Sequence, residues 1–299
     1  MQVKLRELAD LLQKETLHEG LNETRIVNVK FFKASSVTEA LHTVYEPSLF
    51  IIAQGAKIVI LGATTYRYDA SSYLVSSMNL PISGQIIEAS LEKPFLSMQL
   101  CFTPESIFDL VSQLPSHKEE VAQSPLAMSV HHVTEELIDA ALRLVKLLHK
   151  HEEIPILAPL IIKEILYRLL QGEYGARLRQ FALHGSNANR IAQSIELITS
   201  DISEPLHVEV LSQKVGMSVS AFHKHFKHVT AMSPIQYQKQ LRLQKARELL
   251  FTKTHEVGEV AFNVGYESPS QFSREYARFF GLSPQKDLMK FKMESSCKT

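Results

Sequence analysis

The sequence predicts an α+β chain, in which an N-terminal β-barrel with a helical extension precedes an all-α domain that contains two helix-turn-helix motifs. Three observations lead to this prediction. Short apolar runs separated by turn residues fill the first hundred positions, a helical period begins after Pro104, and one helix-turn-helix pattern occurs twice in the last third of the chain. We therefore divide the 299 residues into domains at 1–186 and 187–299.

The first domain opens with a short amphipathic helix, because leucines recur at helical spacing within residues 1–18. A strand is predicted from Ile26 to Phe32. Six further strand-like runs follow, at 49–53, 57–61, 64–68, 73–76, 84–89 and 95–102. Gly62 and Ala63 separate the second and third of these runs, which predicts a hairpin. Many short strands with turn residues between them are typical of a small barrel or sandwich.

The helical extension occupies about residues 105–186. Helices are predicted over 105–114, 135–149 and 159–170, and the middle one has the strongest apolar stripe. This stripe is compatible with packing on the barrel and with pairing between two protomers, and both alternatives stay open. A polar turn around Gly185 marks the boundary with the second domain.

The second domain is predicted to be helical throughout, with two similar motifs joined by a rigid linker helix. A helix is predicted at 191–200, and a linker helix runs from Ser233-Pro234 to about Leu250. The first motif spans about 207–230, with its turn at Gly216 and a recognition helix capped by Ser218. The second motif spans about 256–280, with its turn at Gly265, a cap at Ser268 and an end at Gly281.

The two recognition helices match residue by residue at an offset of 50. Phe222 and Phe226 correspond to Phe272 and Tyr276, and we expect these aromatic pairs to be buried. The polar residues out of phase with them are expected to face double-stranded DNA: Ser220, His223, Lys224 and Lys227 in the first helix, and Ser270, Gln271, Ser273, Arg274 and Arg278 in the second. Arg274 suits a two-pronged contact with guanine, Lys224 a single contact with guanine, and Gln271 a contact with adenine.

Charge and cysteine content agree with a DNA-binding chain of the cytoplasm. The second domain carries 15 Lys and Arg against 11 Asp and Glu, although the whole chain has a formal net charge of zero. The two cysteines, Cys101 and Cys297, stand in unrelated settings and predict neither a disulfide framework nor a metal site. No apolar run reaches the roughly 18 residues of a membrane helix, so no membrane association is expected.

The second domain resembles the AraC/XylS family of bacterial transcription regulators. The resemblance is carried by Leu211-Ser-Gln-Lys-Val-Gly-Met-Ser218, Phe222-His-Lys-His-Phe226, Ser233-Pro-Ile-Gln-Tyr237, Arg242-Leu243, Ala246-Arg247, Val264-Gly-Tyr-Glu267, Phe272-Ser-Arg274, Phe279-Phe-Gly281 and Ser283-Pro284. It implies that the recognition helices enter successive major grooves, that RNA polymerase is a partner, and that transcription is activated rather than repressed. One departure is visible, because Asp287-Leu288 stands where the family often has Tyr-Arg. The chain therefore lacks the tyrosine and arginine that would offer a phosphate contact from that end.

The first domain resembles the cupin-like N-terminal domain of a subgroup of AraC-type regulators. The segments concerned are Tyr45-Glu-Pro-Ser-Leu49, Ala53-Gln-Gly-Ala56, Tyr66-Arg-Tyr-Asp69, Tyr73-Leu-Val-Ser76 and Leu80-Pro81. The resemblance implies a regulatory domain that senses a small-molecule effector or forms a homodimer. Tyr66, Tyr68 and Cys101 are the candidate effector-binding residues. Cys101 has two interpretations, as a packed apolar residue and as a sensor that reacts with an electrophile.

Two other function classes are compatible with a cupin-like domain. A cupin barrel that acts as a metal enzyme needs several histidines and a carboxylate that converge inside the barrel, yet the barrel segment has only His42. The pair His131-His132 is interpreted as a surface or linker position, because adjacent residues point to different faces of a helix. We therefore expect no catalysis, metal or cofactor. The remaining alternative is a cupin-like binding or interaction protein that uses no metal.

Overall fold

The computed structural model describes residues 1–114, 126–252 and 256–296, of which 294–296 are described by their backbone alone. Cys297 lies outside these residues. The chain forms two compact units, residues 1–192 with 228–231, and residues 193–227 with 232–299. A helix runs through residues 187–200, so the domain boundary that we place at 187 remains a prediction.

The first unit contains strands in its first half and helices mainly in its second. Its elements are α1 Gln2–Glu15, β1 Gly20–Glu23, β2 Val29–Ala34, β3 Leu41–Tyr45, β4 Ser48–Gln54, β5 Ala56–Leu61, β6 Thr64–Asp69, β7 Ser72–Ser76, β8 Leu80–Glu88, β9 Phe95–Cys101, α2 Pro104–Val111, β10 Met128–His132, α3 Glu135–Lys146 with a 3-10 turn at Leu147–His149, α4 Ile154–Gln171 and α5 Gly175–Ala182.

The strands form two antiparallel sheets. The six-stranded sheet has the order β1-β2-β9-β4-β7-β10, and the four-stranded sheet has the order β3-β8-β5-β6. Within the second sheet, Leu61 pairs with Thr64, which confirms the predicted hairpin. The fold is α+β with an N-terminal β-sheet domain and a C-terminal helical domain, as predicted from the sequence.

Helices cover one face of the six-stranded sheet and form the main core of the unit. Leu49, Ile51 and Met98 project from this sheet into a cluster that also contains Leu12 of α1 and Leu144 of α3. Side chains on the opposite face of the strands point between the two sheets. Strand β4 is consequently buried on both faces, which explains its continuous apolar sequence.

The apolar stripe of α3 packs into the core of the first unit. Seven of its side chains are buried, and Ile138, Ala141 and Val145 belong to the main core. Of the two roles left open by the sequence, packing within the domain is therefore the one observed. Helix α4 presents the exposed apolar side chains instead, because Ile156 and Leu160 are 68% and 60% exposed.

Several element boundaries differ from the prediction. Strand β2 begins at Val29 instead of Ile26, because Asn28 adopts a φ of 69° and ends a turn there. Helix α4 begins at Ile154, ahead of the predicted start, and includes Pro159 in its interior. His131 and His132 lie on strand β10, so the interpretation of this pair as helical was wrong. Strands β1, β3 and β10 and helix α5 were not predicted.

The second unit is helical and contains both predicted motifs. Its elements are α6 Asn187–Ser200, which begins in the first unit, α7 Val208–Lys214, α8 Val219–Thr230, whose last three residues belong to the first unit, α9 Pro234–Thr252, α10 Val257–Asn263, α11 Pro269–Phe280 and α12 Pro284–Ser296. The turns at Gly216 and Gly265 have φ values of 67° and 85°, in the left-handed region that glycine adopts at low cost. Across the described ranges, the helices lack the combined length and apolar content that crossing a bilayer requires.

Candidate nucleic-acid interface

The two recognition helices, α8 and α11, both begin with a serine N-cap. The Ser218 hydroxyl accepts a hydrogen bond from the Ala221 amide at 3.3 Å, and the Ser268 hydroxyl accepts one from the Gln271 amide at 3.4 Å. Each cap satisfies an amide that the first helical turn leaves without a partner. Helix α11 ends at Gly281, whose φ is 79°. Start and end of the second recognition helix therefore agree with the sequence prediction.

Buried aromatic pairs hold each recognition helix against its own motif. Phe222 and Phe226 are fully buried with ring centroids 5.5 Å apart, and Phe226 meets Tyr237 of α9 edge-on, also at 5.5 Å. Phe272 and Tyr276 repeat the first arrangement in α11, with the same centroid distance of 5.5 Å. Because these rings fix one face of each helix, the opposite face is directed outward.

All nine residues predicted to meet DNA are accessible on these outward faces. Exposed residues are Ser220, His223, Lys224, Lys227, Ser270, Gln271, Arg274 and Arg278, and Ser273 is half-buried. Ion pairs of this unit join Lys239 to Glu275, Lys245 to Glu248 and Arg247 to Asp287. Among the residues that the structure describes, the four cations of the outward faces therefore have no ion-pair partner and remain available to a phosphate or a base.

A carboxylate lies next to the second outward face. Glu275 accepts hydrogen bonds from the Tyr266 hydroxyl at 2.9 Å and from Gln271 Nε2 at 3.4 Å, and it pairs with Lys239 at 3.2 Å. Burial opposes ionisation of Glu275, but these partners outweigh it and lower its pKa. Gln271 is therefore weakly held by an ionised group, and the adenine contact predicted from the sequence requires Gln271 to leave that group.

Asp287 stabilises the packing of three helices, a role that was not predicted from the sequence. Its carboxylate is 3% exposed and accepts two hydrogen bonds from Arg247, with Nε–Oδ2 at 2.8 Å and Nη2–Oδ1 at 3.0 Å. It also accepts a hydrogen bond from the Tyr276 hydroxyl at 2.7 Å. The guanidinium of Arg247 lies 5.1 Å and 4.9 Å from the ring centroids of Phe251 and Phe280. Asp287 thus ties α9, α11 and α12 together.

Arg242 of α9 provides a second unpredicted connection. Its guanidinium donates to the carbonyl of Ile202 from Nε, to that of Gly265 from Nη1 at 2.9 Å and to that of Ser203 from Nη2 at 2.9 Å. Burial lowers the pKa of Arg242, which nevertheless stays charged at neutral pH. The linker helix therefore holds the turn of the second motif and the segment that precedes the first.

The first unit contains a separate candidate site, a cavity of about 470 Å³ whose lining includes residues of both sheets. Of the three candidate effector residues, Tyr68 lies in the lining, whereas Tyr66 and Cys101 lie outside it. Burial and the neighbouring Tyr45 hydroxyl raise the pKa of Tyr68, which is therefore a neutral hydrogen-bonding group. Burial likewise raises the pKa of Tyr66.

Cys101 is enclosed by hydrogen-bonding neighbours. Its sulfur accepts from the Ser48 hydroxyl at 3.5 Å and from Gln99 Nε2 at 3.4 Å. Burial raises the pKa of the Cys101 thiol, with a further contribution from the charge of Glu46. Since the thiolate is the reactive form, this environment favours a packing role over reaction with an electrophile.

The residues considered for a metal do not converge. His131 Nδ1 lies 3.0 Å from Glu173 Oε2, while the adjacent His132 is exposed on the other face of β10. Within residues 1–114, 126–252 and 256–296, no three histidine, cysteine or acidic side chains are grouped as a metal would require.

Two family models match the chain. The model of the AraC-type transcriptional regulator N-terminus matches residues 25–177, and a helix-turn-helix domain model matches residues 211–288. The first of these covers about half of the 299 residues. The matched segments contain strands β2 to β10 and both recognition helices.

Curated relatives align with part of the chain. The transcriptional regulator ArgR of Pseudomonas aeruginosa is 28% identical over 123 residues, which are 41% of this chain and 37% of ArgR. The transcriptional activator RhaS of Salmonella newport is 29% identical over 100 residues, 33% of this chain and 36% of RhaS. The alignments therefore span little more than a third of the length of these relatives.

Solved structures share the fold over most of the chain. Unsaturated fatty acid-bound ToxT of Vibrio cholerae superposes with a TM-score of 0.58 at 12% identity, covering 87% of this chain and 94% of ToxT. An apo form of a ToxT variant gives a TM-score of 0.57 at 13% identity, covering 91% of this chain and 99% of that structure.

Proposed function

Because the chain belongs to the AraC family of transcription regulators and has a helix-turn-helix DNA-binding domain, we propose that it reads two adjacent major grooves with α8 and α11 and activates transcription. The single observation that supports this best is the pair of matched outward faces, in which Lys224 and Arg274 occupy equivalent exposed positions. RhaS, one of the relatives, is an activator. The relatives are regulators, which supports a non-enzymatic role.

Regulation is proposed to act through the first unit. The cavity between the sheets takes a small-molecule effector, and the shared fold with ToxT, which binds a fatty acid, supports this role. The effector shifts the population toward the arrangement in which both recognition helices fit their site. We further propose a cytoplasmic homodimer that contacts RNA polymerase. Ile156, Leu160 and Tyr167 are exposed on one side of α4 and offer an apolar surface for pairing.

Selection from genomic DNA fragments tests the proposal directly. Purified full-length protein should enrich a motif of about 20 base pairs, the span of two successive major grooves. The double variant Lys224→Ala, Arg274→Ala should lose that enrichment. Failure of the wild type to enrich any motif, with and without cell extract as a source of effector, would instead favour a binding or interaction protein.

Arg274→Ala should reduce affinity for the selected site by about 1–3 kcal/mol and relax preference at one base pair, the usual effect of losing a two-pronged contact with guanine. Binding to a set of single-base variants of the site measures both effects. Arg274→Lys is the matched control, since it keeps the charge and loses the fork. An equal loss on every sequence would assign Arg274 to phosphate contact.

Lys227→Ala should weaken binding to all sequences alike, because an exposed lysine without an ion-pair partner suits a phosphate contact. The slope of log affinity against log salt concentration should fall in magnitude by about one. Lys227→Arg, which retains the charge, should restore the slope. An unchanged slope in the alanine variant would place Lys227 away from DNA.

A further inference from the structure

We propose that the cavity between the two sheets binds a small organic acid, whose carboxylate pairs with Lys57 and accepts a hydrogen bond from Tyr45. The inference rests on the proposed effector role of this cavity and adds the chemical class of the effector. Its basis is a cation and a hydroxyl group that both line the cavity and lack a suitable partner among the described residues.

Lys57 occupies an inward-facing position of strand β5. Residues two apart share a face of a strand, and Val59 and Leu61, on the same face as Lys57, are fully buried. Its cross-strand partners are Tyr68 on β6 and Ile86 on β8, each 2% exposed. The sequence therefore places a charged, half-buried side chain on a face where the strand otherwise carries apolar ones, and an anion in the cavity would compensate its charge.

The positive charge of Lys57 is only partly compensated by the residues that the structure describes. The Lys57 ammonium lies 5.6 Å from the ring centroid of Phe32 and 5.5 Å from that of Tyr45, but it forms no ion pair with the carboxylates that the structure describes. Lys30, which also lines the cavity, pairs with Glu23 at 3.0 Å. Lys57 is half-buried, and its contacts with aromatic rings contribute about 0.5–1 kcal/mol at such a site. An anionic ligand in the cavity would give this cation a direct partner of opposite charge.

The Tyr45 hydroxyl is the second unsatisfied group. Tyr45 is 6% exposed, and its hydroxyl makes no aligned hydrogen bond among the described residues, although the Tyr68 hydroxyl is nearby. Its ring stacks on Phe50 at a centroid distance of 4.3 Å, which fixes the direction of the hydroxyl. A buried hydroxyl without a partner costs about 1–3 kcal/mol, so a ligand that accepts its hydrogen bond is favoured.

The surroundings favour a monoanion with an apolar body. Phe32, Phe50 and Ile86 provide apolar walls, and the ionisable groups in the lining besides Lys57 and the two tyrosines are Lys30, His42 and Glu46. The Glu46 carboxylate disfavours a second negative charge, as in a phosphate ester. Gly84 leaves room for the lysine, because a Cβ atom there would lie 3.1 Å from Lys57 Cε. A carboxylate matches one ammonium and one hydroxyl.

Calorimetric titration of the full-length protein with matched probes tests the assignment. The probes are hexanoate and phenylacetate, the neutral hexanamide and phenylacetamide, and phenyl phosphate. Each carboxylate should bind about ten- to hundred-fold more tightly than its amide, the value of one charged hydrogen bond. Lys57→Met should abolish that preference, Lys57→Arg should retain it, and Tyr45→Phe should reduce it. Tighter binding of phenyl phosphate than of phenylacetate would overturn the choice of a carboxylate.

Thermal denaturation without ligand separates a binding role from a folding role. Because methionine removes an uncompensated charge from an apolar wall, Lys57→Met should leave the Tm unchanged or raise it. A lower Tm would make Lys57 a folding residue and overturn the proposal. Equal binding of amides and carboxylates would reject the acid while keeping the effector cavity. Absence of binding by all five probes would reject the cavity as an effector site as well, while DNA selection would still test the DNA-binding function.

Discussion

Asp287→Ala should lower the free energy of unfolding of the DNA-binding unit by about 3 kcal/mol. The substitution leaves the Arg247 guanidinium between two rings without its carboxylate and removes the acceptor of the Tyr276 hydroxyl. We expect the lower end of the range for buried pairs, because the Arg247 side chain is still 25% exposed and water screens part of its charge. Urea unfolding of the full-length chain, followed by helical circular dichroism, measures the loss.

Two controls identify the origin of the Asp287 effect. The exposed pair of Lys245 and Glu248 lies on the same α9 helix, and Glu248→Ala should lower stability by less than about 1 kcal/mol. The double variant Asp287→Leu, Arg247→Met replaces both charged partners with apolar groups and should recover most of the loss. If Asp287→Ala were no more destabilising than Glu248→Ala, the buried network would not hold α11.

Gly265→Ala should destabilise the second motif by about 3 kcal/mol, the sum of two effects. An alanine at a φ of 85° is strained by about 1–2 kcal/mol. Its Cβ atom would also lie 2.2 Å from the Ser203 carbonyl oxygen and 2.8 Å from Arg242 Nη2, so backbone must move and the Arg242 connection is disturbed. Such overpacking costs about 1–3 kcal/mol more.

Gly281→Ala is the matched control for this substitution. Gly281 has a similar φ of 79°, but a Cβ atom there would meet no atom within 4 Å. The control should therefore show the conformational strain alone, about 1–2 kcal/mol. Unfolding of both variants and binding to the selected DNA site compare the two. Equal losses of unfolding free energy in the two variants would show that the close approach of Ser203 to the turn adds no cost to the alanine substitution.

The helix-turn-helix motifs were predictable because their signals are local. The turn at Gly265, the cap at Ser268 and the buried Phe272 lie within eight consecutive residues, and the same pattern in the first motif supports them. Exposure of Lys224 and Arg274 then follows from helical periodicity. The role of these side chains in binding DNA remains a prediction.

The elements and site residues that were missed depend on distant parts of the chain. Strands β1, β3 and β10 lie at sheet edges, where pairing on one side leaves few buried positions and little apolar pattern. Asp287 acquires its role from Arg247, 40 residues earlier. Lys57 resembles any lysine of a hairpin until the pairing of β5 with β8 places it opposite Ile86. Short-range patterns carry no information about such partners.

The two recognition helices are similar in construction but unlike in what they present. His223 and Lys224 of the first helix stand where the second has Ser273 and Arg274, and Lys227 stands where the second has Ala277. If both helices contact DNA as proposed, a single chain should prefer an asymmetric site over a palindrome. The direction of the site would then set the orientation of the protein, and inverting the site would reverse the direction in which its other surfaces face.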